Sequence, residues 1–225
     1  MDDPLVLAQD VKRVYGDGRL SLVAVAGATF SVSAGRRIAV VGPSGSGKST
    51  LLHLMAGIDR PTSGAVTWPA IGGPDVLRPG PIAVAFQGPS LLPALTVAEN
   101  VALPLLLVGC KESDALAAAA TYVDLFELGD VADKLPEEIS GGQSQRAGLA
   151  RALVGEPRLV LADEPTGQLD RETAGRTILT LLDATDATGA ALVVATHDLD
   201  VAGRMDVRWW MDSGELRTEE VRCSV

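Results

Sequence analysis

The chain has 225 residues, with 19 Lys and Arg against 29 Asp and Glu, giving a net charge of −10. That balance argues against a nucleic-acid binder, which needs a basic face to displace counterions, although a local basic site stays open. Hydrophobic residues make up 47%, enough to bury a core and exclude disorder, whereas aromatics at 4% leave few platforms for stacking bases.

The length suits one domain or two small ones. The core must be built mostly from Ala, Val and Leu. Two cysteines, Cys110 and Cys223, make no disulfide framework and fit a reducing compartment. The start, Met1-Asp2-Asp3, has neither the basic nor the apolar region of a secretory signal. Cys223, third from the end, is misplaced for prenylation. No apolar run reaches the ~18 residues of a membrane span. Residues 97–108 come nearest and are broken by Glu99, Asn100 and Pro104. The chain is therefore expected to be soluble by itself, with any membrane role supplied by a partner.

In chain order, residues 6–11 and 29–32 read as short antiparallel strands. Residues 37–41 (RIAVV) read as a buried strand, followed by glycines and an apolar helix over 49–56. Residues 69–81 are rich in Pro and Gly and read as loop. Residues 88–154 are helical in pattern, rich in Ala and Leu, with no convincing strand. Residues 158–163, 190–196 and 207–211 read as three further buried strands, with a helix over 172–184 between the first two. Alternating strands and helices predict an α/β fold with a mostly parallel sheet covered on both faces. The expected division is an α/β core over 1–87 and 156–225 and a helical subdomain over 88–155.

Gly42-Pro43-Ser44-Gly45-Ser46-Gly47-Lys48-Ser49-Thr50 matches G-x-x-x-x-G-K-[ST]. It lies between a predicted strand and a predicted helix, the context such a phosphate loop requires. Glycines let successive N–H groups converge on phosphate oxygens, and the helix presents its positive end to the same anion. Lys48 supplies a cation for the β- and γ-phosphates, and the Ser49 hydroxyl suits Mg²⁺. The ordinary alternative is a Gly-rich turn without ligand.

At Asp163-Glu164 an apolar strand ends in two acids. Unpaired carboxylates are costly there. Asp163 is a candidate second anchor for Mg²⁺, and Glu164 a candidate general base that polarises the attacking water. Ser140-Gly141-Gly142-Gln143 precedes another helical stretch, with Ser140 as a good N-cap. Two glycines at a helix start make a second anion cradle, which asks for a second nucleotide or a second face of the same one.

Ile139-Ser140-Gly141-Gly142-Gln143 resembles the LSGGQ signature of ATP-binding-cassette (ABC) ATPases. Other elements of that family occur in order. Tyr15 is placed like the adenine-stacking aromatic, and Gln87, after Phe86, like the Q-loop glutamine. Gly167-Gln168-Leu169-Asp170 resembles the D-loop, with Asp170 its acid, and His197 in Thr196-His197-Asp198 the switch histidine. Each residue alone has a bland reading, as a surface aromatic, a loop glutamine, a helix cap or a core histidine. Their joint order over residues 6–216 defeats those readings.

The resemblance implies a P-loop NTPase core with N-terminal antiparallel strands and an inserted helical subdomain. It implies an ATPase using ATP and Mg²⁺ and pairing head to tail as an ATP-dependent homodimer. The loop from Gly42 to Thr50 of one copy would face Ser140, Gly141, Gly142 and Gln143 of the other. Catalysis would fall to Glu164, His197, Lys48 and Gln87, and the metal to Ser49, Gln87 and Asp163. The family pairs with a transmembrane permease, which places such a subunit on the cytoplasmic face of the membrane, with no nucleic acid.

Residues 95–104 together with Glu164-Pro165-Thr166-Gly167 are similar to cassettes of the lipoprotein-release, macrolide-export and cell-division group. Leu91, Leu92 and the apolar residues of 95–107 would then line a groove for a permease helix. Ile139 and Gln168 depart from the family pattern. So does the loop-like stretch 69–81, which puts the small antiparallel subdomain in question. After Leu216 only a short charged tail is expected. The rivals are a soluble non-transport ABC ATPase, a small-molecule P-loop kinase and a non-hydrolysing nucleotide-binding module. This chain has neither the second cassette nor the coiled-coil insertion usual in the first, and a kinase has no use for a signature motif.

Overall fold

The computed structural model describes residues 3–88 and 90–219. Cys223 lies outside them. Three strands form an antiparallel sheet: β1 (Val6–Tyr15), β2 (Leu22–Val32) and β4 (Ser63–Thr67), in the order β2-β1-β4. The main sheet uses β3 (Arg37–Val41), β5 (Ile82–Ala85), β6 (Leu159–Asp163), β7 (Ala191–Thr196), β8 (Val207–Asp212) and β9 (Glu215–Glu219). Its order is β5-β6-β7-β3-β8-β9, parallel except for β9 against β8.

The parallel strands are short apolar runs because both faces are covered. Alternate residues serve alternate cores. Ile38, Val40, Leu159, Leu161 and Val193 pack toward the antiparallel sheet and α1 (Lys48–Met55). Ala39, Val41, Val160, Ala162, Leu192 and Val194 pack toward four helices. These are α2 (Val97–Leu107), α3 (Glu112–Leu125), α4 (Gly141–Leu153) and α5 (Arg171–Thr188). A single turn, α6 (Leu199–Ala202), follows β7. Among the described residues no helix is long and apolar enough to cross a membrane.

Several expectations need correction. The antiparallel subdomain is intact, because its third strand, β4, lies just before the loop over 69–81. That loop carries only one short 3-10 turn, Pro74–Val76. β1 and β2 extend to Tyr15 and from Leu22, and the irregular register near Asp10, whose φ is 47°, hides the alternation. β5 was not anticipated as a strand. Leu216 does not open a tail but sits within β9. The hairpin turns at Ser213 and Gly214, both at positive φ (49° and 84°), as a two-residue turn between twisted strands requires.

Candidate functional site

β3 ends on Val41 and the chain curls through residues 42–47 into α1. Two glycines have a steric reason. A Cβ on Gly47 would drive into the Ala24 carbonyl, and one on Gly42 into the Met211 carbonyl. Gly47 is the N-cap at φ 106°, so no side chain satisfies the first-turn N–H groups of α1. Those groups form a donor set suited to an anion. Lys48 is buried, and its Nζ donates to the carbonyls of Gly42 (2.8 Å) and Pro43 (3.0 Å).

The C-terminal ends of β6 and β7 bring the acids to this loop. Asp163 is 5% exposed, and its Oδ1 is buried with no protein partner. Burial pushes its carboxyl up; a bond with the Ser49 hydroxyl opposes this, and neighbouring Glu164 adds to it. An orphaned carboxylate oxygen beside a hydroxyl is the donor chemistry of a hard cation such as Mg²⁺. Such a site needs only one or two carboxylates when phosphate oxygens complete the shell. Glu164 Oε1 lies 2.9 Å from His197 Nδ1 and 3.7 Å from Lys48 Nζ. The Thr196 hydroxyl lies 3.4 Å from the other carboxylate oxygen.

A cleft of about 590 Å³ gathers Pro43, Ser44, Gly45, Gly47, Lys48, Ser49 and Thr50 with Tyr15, Gln87, Asp163, Glu164 and His197. Gly42 and Ser46 do not line it. Tyr15 stands at the mouth and is fixed there. Its hydroxyl donates to Asp59 Oδ2 (2.7 Å), Arg13 Nε donates to the same oxygen (2.8 Å), and the guanidinium lies 4.4 Å from the ring centroid. Burial raises the Asp59 carboxyl, but the bonds from Tyr15, the Arg60 N–H and Arg13 outweigh it and hold it below its ordinary value.

Ser140, Gly141, Gly142, Gln143 and Asp170 do not line this cleft. Ser140 and Gln143 form a reciprocal cap on α4: the Ser140 hydroxyl accepts from the Gln143 N–H, and the Gln143 side chain accepts from the Ser140 N–H. The Gln143 side chain is thus committed to its own helix. Asp170 caps α5, accepting from the N–H groups of Glu172 and Thr173.

Four residues near the site escaped the sequence reading. Arg13 and Asp59 hold Tyr15 but lie 46 positions apart with no motif around them. Thr196 is recognisable only once β7 sits beside β6. Gln145 lies two positions past the Ser140–Gln143 motif, in a helical stretch that gives it no signal of its own. Its side chain donates to the Glu164 carbonyl and accepts from the Gln168 N–H.

A family model described as "ABC transporter" matches residues 25–167. The chain belongs to the ABC transporter family. This ABC protein is 40% identical over 227 residues to the "Lipoprotein-releasing system ATP-binding protein LolD" of Legionella pneumophila (strain Paris), covering 98% of this chain and 100% of that one. It is 43% identical over 211 residues to the protein of the same name from Geobacter metallireducens, covering 89% and 92%. Among solved structures it is similar to the dimeric post-hydrolysis state of the ATP-binding cassette MJ0796 bound to ADP and Pi. That likeness has a TM-score of 0.89 at 32% identity and covers 97% of this chain and 100% of the other. A second dimeric structure of MJ0796, a bacterial ABC transporter cassette, gives a TM-score of 0.91 at 32% identity over the same shares. The ABC chain is an ATPase, an ATP-binding and ATP-hydrolysing transporter subunit with the P-loop α/β fold.

Proposed function

We propose that this chain is the ATPase of a lipoprotein-release type transporter and drives a separate transmembrane permease by ATP-dependent closure of a homodimer. The observation that carries the reading is the convergence of Lys48, Ser49, Asp163, Glu164 and His197 in one cleft, with the Ser140–Gly142 cradle outside it. One chain therefore holds one complete phosphate site and one unused anion cradle. Head-to-tail pairing uses both, in line with the dimeric cassettes that share this fold.

The residues divide the work. Tyr15 stacks the base, residues 42–50 cradle the phosphates, and Lys48 leaves its loop carbonyls for the β- and γ-phosphates. Ser49, Asp163 and Gln87 would hold Mg²⁺, which would offset the charge on the phosphate oxygens. Glu164 orients and deprotonates the water, with His197 at 2.9 Å fixing its carboxylate. Ser140, Gly141 and Gly142 close over the nucleotide of the other copy, and Asp170 holds the D-loop at that interface. The lobe over 88–155, inserted in the core of 1–87 and 156–225, carries the cradle. ATP is then the ligand that favours the closed state, and its hydrolysis removes it. Replacing Tyr15 with Ala is expected to weaken ATP binding about 5- to 100-fold with little change in kcat, as loss of one base–aromatic stack implies. Titration with ATP and a saturation curve check this.

A second, apolar groove of about 470 Å³ lies between β5 and the C-terminal half of α2. Its lining includes Ile58, Phe86, Leu103, Leu105, Leu107 and Val108. We assign it to a permease helix. Neither Leu91 nor Leu92 lines it: Leu91 is buried in the helical core, and Leu92 is exposed outside the groove. A charge at Leu91 would therefore unfold the lobe, so Leu107, 64% exposed, is the better probe. Leu107→Asp is expected to abolish co-purification with an integral-membrane permease while the isolated subunit keeps its ATPase activity. A wild-type chain that captures no integral-membrane protein from its host's membranes contradicts the permease reading. Such a subunit works on the cytoplasmic face of the membrane.

A further inference from the structure

Glu164 is one of the few non-glycine residues at positive φ, 46°, a conformation that L side chains disfavour. Such a residue persists only where its surroundings over-determine it. Its N–H donates to the Ala195 carbonyl at 2.9 Å, and its own carbonyl accepts from the Gly167 N–H at 3.1 Å. The same carbonyl accepts from Gln145 Nε2 at 2.7 Å, while Gln145 Oε1 accepts from the Gln168 N–H at 2.9 Å. One carboxamide thus uses both ends on main chain, at the strained residue and at the D-loop.

The first two bonds come from the strand ends and loop around Glu164 itself. Only the third comes from elsewhere, from α4, five positions after the Ser140 cap. We infer that Gln145 is a positioning residue that sets the Glu164 main chain and the D-loop from the signature helix, so that the pose of the base follows α4. This rests on the reading of Glu164 as the base. A docked γ-phosphate at the α4 N-terminus is thereby felt at the catalytic carboxylate of the same chain, through one side chain and two hydrogen bonds.

The test compares Gln145→Leu, Gln145→Glu and Glu164→Gln with the wild-type chain. Gln145→Leu, similar in size but without polar atoms, should lower kcat about 10- to 100-fold, as expected for a lost bond to a main-chain group that must keep a reactive geometry. ATP affinity, read with a fluorescent ATP analogue, should stay within about twofold, since no phosphate contact is touched. Gln145→Glu keeps an acceptor for the Gln168 N–H but offers the Glu164 carbonyl a donor only when protonated. Its activity relative to wild type should therefore rise as pH falls from about 8 toward the carboxyl range. For Gln145→Leu that ratio should be flat. If Gln145→Leu fails to fold, the pH profile of Gln145→Glu carries the test. Wild-type kcat in Gln145→Leu, an effect confined to ATP affinity, or a flat ratio for Gln145→Glu overturns the inference. Full turnover by Glu164→Gln would instead overturn the assignment of the base. An inactive Glu164→Gln beside fully active Gln145 variants rejects the positioning role alone.

Discussion

Glu164→Gln is expected to cut steady-state ATP turnover by about 10²- to 10⁴-fold, the range a positioned general base contributes. The substitution keeps the size of the side chain and an oxygen for the Thr196 hydroxyl. It removes a proton acceptor and a negative charge 3.7 Å from Lys48 Nζ. Removing that charge frees Lys48 for phosphate, so ATP affinity should hold or rise. Binding without hydrolysis leaves the shared ligand in place, and the closed dimer should accumulate. Size-exclusion chromatography with light scattering, in ATP and Mg²⁺, should show a dimer that the wild type loses as ATP is consumed. Wild-type turnover would remove Glu164 from the mechanism.

Lys48→Ala is expected to weaken ATP binding by about 10²-fold or more, the usual scale for deleting one partner of a buried, hydrogen-bonded charge pair. The loss comes from the phosphate, which is left without its cation; the bonds to the Gly42 and Pro43 carbonyls are ones Lys48 gives up on binding, so their absence offsets only a small part of it. Lys48→Arg should not rescue binding, because a planar fork cannot replace a compact ammonium in a position only 6% exposed. Titration calorimetry with ATP reads both variants. An unchanged dissociation constant for Lys48→Ala would contradict the phosphate-loop assignment.

The elements that were legible share one property: their burial is local and complete. β3, β6 and β7 are apolar runs covered on both faces, and the phosphate loop follows one of them directly. The elements that were missed are edges. β4 (SGAVT) and β9 (ELRTE) have few apolar residues, and β4 is largely exposed. They are strands because β1 and β8 offer them open hydrogen-bonding edges, a fact about neighbours rather than about their own side chains. Leu91 failed in the opposite sense. Its apolar character was visible, but which of two apolar environments it enters, core or groove, depends on how α2 and α4 pack.

The same boundary runs through the chemistry. The negative charge of the chain was no obstacle to binding a polyanion, since main-chain N–H groups and the buried Lys48 supply the local field. Sequence alone singled out the candidate reactive groups, because a phosphate cradle and an acid at a strand end need fixed residue types at short fixed spacings. It also determined the family, through the order of those motifs. Only the tertiary structure decided that Arg13 and Asp59 hold Tyr15. It alone showed that Gln145 reaches the strained Glu164 from another helix. These contacts join residues 46 and 19 positions apart. They are set by sheet register and helix placement, which no local spacing encodes.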